Sequence, residues 1–237
     1  MHIVKPQLTT GDGYIVVNNL IPEHLIDSLL SKKDTLYPVR ASSSNKKYAE
    51  RDEIKNLPNV SVWWSQMVMD WQEVIEINNI LKPHITPHMP NCEWYASDIV
   101  TLEPYSTWVS PHVDTPHRFK SYNYNKNLLG IQAIVALSDL DKNTGATGLI
   151  PNSQTQDYNI NLCYQGMYNE MFMKKCIQPE LTKGSVLFYN CRVLHSSMPN
   201  PQKVKRPALL LNYLDGSIIE DVKKLDNIWA SNGNILR

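Results

Sequence analysis

The sequence predicts a mostly β protein of the α+β class, a jelly roll preceded by a helical flank. Two observations predict it. After Pro90, short runs of β-forming residues alternate with turn signals and leave little room for helices. Before Pro90, apolar residues recur at helical spacing. The 237 residues suffice for one domain with a full core. The expected division is a flank over 1–90, a jelly-roll core over 91–215 and a C-terminal tail over 216–237, all in a single domain 1–237.

The elements follow in order. Gly13 to Val17 is rich in β-branched residues and reads as a strand. Ile21, Leu25 and Leu29 repeat at helical spacing, and Pro22 suits a first helical turn. Arg40 to Lys47 is polar and Ser-rich and reads as a loop. Trp63 to Ile80 carries helical spacing through Trp64, Met67, Trp71, Val74 and Ile75, with the tryptophans expected in the core of the flank. The strands of the core are expected at Glu93–Leu102, Gly130–Leu137, Gly148–Ile150, Ser185–Tyr189, Val193–Ser196 and Ala208–Leu214. Glu103-Pro104, Asn143-Thr144-Gly145, Pro151-Asn152 and Lys183-Gly184 punctuate them.

Composition narrows the function classes. Lys+Arg and Asp+Glu balance at 23 each, so no global field attracts nucleic acid or an acidic membrane. Cys92, Cys163, Cys176 and Cys191 include no CxxC pair, so a thiolate zinc site is not expected; they read as reduced, packed thiols. Met1 to Tyr14 lacks the charged-then-apolar run of a signal peptide, and no apolar stretch reaches the ~20 residues that span a bilayer. The expected compartment is the cytoplasm.

The chemistry-bearing residues form one constellation. His112 and Asp114 stand two apart, so on a strand both point to the same face while Val113 points away. Alone, such a triplet arises often by chance. His195, after the strand Gly184–Tyr189 and a turn at Asn190-Cys191, supplies a second imidazole. Two histidines and one carboxylate make a facial triad, which leaves positions on iron open for a co-substrate and dioxygen. A closed four-ligand shell would be structural instead. Eleven positions on stands Arg206, on one strand face with Ala208 and Leu210. An inward arginine is costly unless it meets an anion, and a dicarboxylate would supply one through bidentate contact. Lys203 and Lys205, beside it, read as solvated.

These residues resemble the phytanoyl-CoA dioxygenase-like family of Fe(II)/2-oxoglutarate oxygenases, over nearly the whole chain. Asp12 to Val17 and on through Leu25 resembles the family's opening strand and helix. His112-Val113-Asp114 resembles its iron-binding HxD, and Leu137-Ser138-Asp139 through Gly145 with Ile150-Pro151-Asn152-Ser153-Gln154 its stretch ending in Pro-Gly-Ser-His. His195-Ser196-Ser197-Met198-Pro199-Asn200 through Arg206 resembles its distal histidine and co-substrate arginine. Asn152 replaces the usual glycine, and asparagine tolerates left-handed backbone. Gln154 replaces the usual histidine and puts any role of that position in doubt.

The resemblance implies a cupin-like double-stranded β-helix in which His112, Asp114 and His195 bind Fe(II) and Arg206 anchors 2-oxoglutarate, with dioxygen as oxidant. It also implies co-substrate contacts at Thr101, Gln132 and Ser197. Similar halogenases lack the carboxylate that Asp114 keeps, so the implied reaction is hydroxylation of a small molecule with release of succinate and CO2. Tyr105, Trp108, His117, Arg118 and Lys120 flank the HxD and are candidates for a pocket entrance; His117 has no evident reason to point back as a ligand. Three other readings compete. A nucleic-acid or protein-modifying oxygenase of the same superfamily is one; nucleic-acid dealkylases usually carry a second arginine where this chain has Asn212. A cupin-type binding protein or isomerase usually has an HxH that this chain lacks. A zinc hydrolase on the same triad leaves Arg206 unexplained.

Overall fold

The computed structural model describes residues 7–35, 38–43, 60–106, 109–157 and 167–231, with the backbone alone at 34, 38–43, 60–67 and 228–231. Among the described residues nine strands run in chain order: β1 (Tyr14–Val17), β2 (Pro38–Ser43), β3 (Val60–Met67), β4 (Cys92–Leu102), β5 (Gly130–Ala136), β6 (Thr147–Leu149), β7 (Val186–Asn190), β8 (His195–Ser197) and β9 (Arg206–Asp215). Seven form an antiparallel sheet in the order β1-β7-β5-β9-β4-β3-β2, and β6 and β8 form a second, smaller one. The helices are α1 (Glu23–Lys32), α2 (Gln72–Ile85), α3 (Asn169–Lys175) and α4 (Ile219–Ser231).

Strand alternation gives the large sheet two apolar faces. Phe188 on β7, Ala133 and Val135 on β5 and Leu209 and Leu211 on β9 face one way, where Leu25, Ile26 and Leu29 of α1 and Val74, Ile77, Leu81 and Ile85 of α2 cover them. Each fully buried Leu or Ile contributes about 1.5–3 kcal/mol relative to exposure. The alternate residues, Leu187, Tyr189, Ile134, Ala136 and Ala208, face the smaller sheet and pack with Leu149 and Val193. Sheet on sheet with helices outside is the double-stranded β-helix.

The flank departs from the expected helical reading. β1 pairs with β7, and β3 pairs with β4, so the first ninety residues complete the large sheet as well as cover it. The run from Trp63 is not one helix. Val60–Met67 is a strand, because Val62, Trp63 and Trp64 pair with Leu102, Thr101 and Val100; the helix begins at Gln72. Trp71 packs on the helix-covered core; the side chains of Trp63 and Trp64 lie outside those described. The expected loop at Arg40 begins as strand β2, pairing with β3, while 44–47 lies outside the described residues. The C-terminal tail holds α4, which docks Ile219 and Val222 against Phe119 and Leu214. Cys92, Cys176 and Cys191 form no disulfide among the described residues, and Cys163 lies outside them. No helix among the described residues is long and apolar enough to cross a membrane.

Candidate metal centre

The HxD segment is not a full strand. His112 makes a single antiparallel bridge to His195, with hydrogen bonds of 2.9 and 3.0 Å in the two directions. Two residues on, the Asp114 N–H donates to the Cys191 carbonyl at 2.8 Å. Both amides therefore point at the 191–195 segment, and the expected sharing of one face survives in this short ladder. Val113 points away, into a cluster with Ile150, Phe172, Leu194 and Met198.

One donor atom from each of His112, Asp114 and His195 lies within 4.8 Å of the others. Two bonds of about 2.1 Å span at most about 4.2 Å between donors, so small side-chain rotations close the set on one ion. The tautomers suit it. His112 Nδ1 lies 2.9 Å from the Ser110 carbonyl and His195 Nδ1 lies 3.0 Å from that of Val193. Each Nδ1–H donates to its carbonyl, which leaves both Nε2 lone pairs for a metal. Asp114 and His195 are buried and His112 is half-buried, so one side remains for further ligands. The donors fit a divalent transition metal.

Arg206 is buried, and burial alone pulls its pKa down to about 10. Its Nη2 donates to the Gly145 carbonyl, while its Nε is buried with no hydrogen-bond partner. Among the described residues no carboxylate pairs with it. A buried cation with an orphaned donor is a site prepared for an anion. The smaller sheet links this site to the triad. Gly145 lies two residues before Thr147, Thr147 pairs with Ser197, and Ser197 shares a face of β8 with His195. Ser197 thus stands between the triad and Arg206, with Thr147 opposite it.

Gln132 also lies on the inner face, level with Tyr189 and Asn212, and its Oε1 accepts from Asn212 Nδ2 at 2.9 Å. Asn212 is six residues along β9 from Arg206, a distance of about 20 Å, so Gln132 belongs to the metal end. Thr101 does not join the site. Leu102 pairs with Arg206 and Thr101 with Pro207, so alternation turns Thr101 to the face it shares with Ile99, under the helices. The inner-face residue of that strand with polar chemistry is Asp98, buried and paired with Leu210.

The expected entrance residues scatter. Arg118 forms an ion pair with Asp226 of α4, which also accepts from the Tyr95 hydroxyl. His117 is buried with Nδ1 3.1 Å from the Tyr122 carbonyl, and burial lowers its pKa to about 4; it is not among the clustered ligands. Lys120 is exposed, Tyr105 is 64% exposed, and Trp108 lies outside the described residues. At the turn after β6, Asn152 adopts the left-handed φ of 61° that its chemistry allows. Gln154 is structural, its Nε2 donating to the Gly11 carbonyl at 2.9 Å. Sequence reasoning missed Tyr189, whose hydroxyl donates to Asp114 Oδ2 at 2.9 Å and lies 3.1 Å from His195 Nε2. It missed Thr147 as well. The one signal for Tyr189 was its place six residues before the distal histidine, in a strand that ends beside it.

Comparison with known proteins bears on this geometry. The model of the phytanoyl-CoA dioxygenase family matches residues 10–208. No curated protein matches the chain. Among solved structures, EctD from S. alaskensis, crystallised with 2-oxoglutarate and 5-hydroxyectoine, superposes with a TM-score of 0.67 at 14% identity, covering 92% of this chain and 77% of EctD. HygX from Streptomyces hygroscopicus, with nickel and 2-oxoglutarate bound, gives 0.63 at 12% identity over 88% of this chain and 85% of HygX. The non-heme α-ketoglutarate-dependent epimerase SnoN of nogalamycin biosynthesis gives 0.65 at 13% identity over 86% and 79%. At these identities the likeness establishes the shared fold.

Proposed function

This chain belongs to the phytanoyl-CoA dioxygenase family of Fe(II)- and 2-oxoglutarate-dependent oxygenases, and from that premise we propose that it hydroxylates a small-molecule substrate with release of succinate and CO2. The single observation that carries the reading is the joint geometry of the triad and Arg206: three metal donors within 4.8 Å of one another and, beyond Ser197, a buried guanidinium that no acid among the described residues pairs with.

His112, Asp114 and His195 would hold the iron, and three protein donors leave room for a co-substrate. Arg206 binds the far carboxylate of 2-oxoglutarate and so fixes its direction, keto-acid end toward the triad. Ser197 and Thr147 line the path between them and offer hydroxyls, and Gln132 offers an amide at the metal end. Leu149, Ile134 and Ala208 keep water from the co-substrate. Iron with its co-substrate and dioxygen supplies the oxidation: one oxygen atom enters succinate and the other the product. Retention of Asp114 leaves no ligand position for a halide, which favours hydroxylation over halogenation.

EctD and HygX are the neighbours whose bound molecules, 5-hydroxyectoine and hygromycin B, suit a small polar substrate here. SnoN and the carbocyclase SnoK make epimerisation and ring closure the competing outcomes. The test is 2-oxoglutarate-dependent succinate release with Fe(II) in air, followed by mass analysis of candidate substrates. Succinate release must vanish in His112→Ala, Asp114→Ala and His195→Ala. A product heavier by one oxygen supports hydroxylation, and a product of unchanged mass or lighter by two hydrogens replaces it. Normal turnover in any one of the three variants contradicts the triad.

A further inference from the structure

We propose that Tyr189 is a positioning residue of the metal centre, its phenol hydrogen-bonding the Asp114 carboxylate and so holding that ligand in place for the ion. The proposal rests on the triad reading above and adds a residue to it.

Tyr189 sits on the inner face of β7 and is 1% exposed. Its hydroxyl lies 2.9 Å from Asp114 Oδ2 and 3.1 Å from His195 Nε2, and those two atoms are 3.4 Å apart. Its ring packs against the His195 imidazole with centroids 4.7 Å apart at a tilt of 52°. The His195 ring in turn lies 4.4 Å from that of His112. One side chain therefore touches two of the three donors and, through His195, abuts the third.

The proton arithmetic assigns the hydroxyl its role. His195 Nδ1–H is committed to the Val193 carbonyl, so Nε2 presents only a lone pair. The phenol has one proton for two acceptors, and the carboxylate bond is the stronger because it is charge-assisted. An ion takes the Nε2 lone pair for itself. The phenol then keeps its charge-assisted bond to Asp114. A carboxylate so held cannot swing away, and the imidazole tilted against the same ring cannot rotate. Partners that orient metal ligands in this way typically change metal affinity by 10–100-fold when removed. The ring alone would fill the space; only the hydroxyl orients the carboxylate.

The test compares Tyr189→Phe with wild type, both stripped of metal and titrated with Mn(II) under calorimetry, then with Co(II) under visible absorption. The expected result is a Mn(II) affinity at least about tenfold weaker in the variant, with a shifted Co(II) ligand-field spectrum. The same affinity and spectrum in a folded Tyr189→Phe chain overturn the proposal while leaving the triad intact. A wild type that binds neither ion overturns both. Should the variant not fold, separate metal-free samples of wild-type chain carrying 3-fluorotyrosine are titrated with Zn(II) and with Mn(II). One fluorine resonance must shift with Zn(II) and be the first to vanish with Mn(II); no resonance behaving so overturns the proposal.

Discussion

Arg206 carries a charge that burial penalises and that no described carboxylate relieves. On the proposed reading, the carboxylate of a bound diacid relieves it. Arg206→Ala is therefore expected to raise the apparent 2-oxoglutarate requirement for succinate release. Breaking a buried charge-assisted contact typically costs ~2–5 kcal/mol, which corresponds to roughly 30- to several-thousand-fold. Arg206→Lys should fall between, since an ammonium cannot present the bidentate fork. An unchanged requirement removes Arg206 from the site. At this scale the sequence was legible where chemistry is scarce: HxD, a distal histidine and an inward arginine have few innocent explanations in combination. It was illegible where only register decides. Thr101 was one residue from the inner face. β4 is buried on both sides from Ala96 to Val100, so no polar alternation marks which residue points where. Tyr189 and Thr147 were hidden for the same reason: a tyrosine or threonine in a buried strand is ordinary until its partners are known.

At the scale of elements, a polar pin joins α1 and α2 beside their shared apolar core. Glu73 of α2 accepts from Ser28 and Lys32 of α1, each at 2.5 Å. Those hydrogen bonds hold its carboxyl at a pKa of about 2 against an ordinary 4.5. The folded pKa is depressed, so the contribution is present above about 4.5 and is lost as pH falls toward about 2. Glu73→Gln should therefore lower the melting temperature at neutral pH, and the gap to wild type should close across that acid window. A gap that stays constant with pH assigns the effect to packing. Salt should narrow it at neutral pH, because Lys32 is 46% exposed. The strands of the core were legible because turn residues bracket short β-branched runs. Trp63 to Met67 was misread because Trp64, Met67 and Trp71, three and four apart, satisfy a helical template although the first two belong to a strand; the pairing of that strand with β4 is a non-local contact. β2 and α4 were missed because polar, Ser-rich and charged segments give little periodic signal.

For the whole molecule, the two sheets bring distant segments to one point. His112, Asp114, Tyr189, His195 and Arg206 come from a bridge, a strand, a short strand and a strand end, and the smaller sheet spaces the triad from the arginine. The net charge of zero provides no steering field, so in the proposed function the attraction for a diacid falls to this local guanidinium. The central claim is that one metal and one diacid are bound side by side by these residues. The most direct measurement is anaerobic calorimetry of 2-oxoglutarate binding with and without Mn(II), in wild type, His195→Ala and Arg206→Ala. One 2-oxoglutarate per chain is predicted, bound tightly only with Mn(II) present and weakened in both variants. Binding that is equally tight without metal, or untouched by either substitution, contradicts the account.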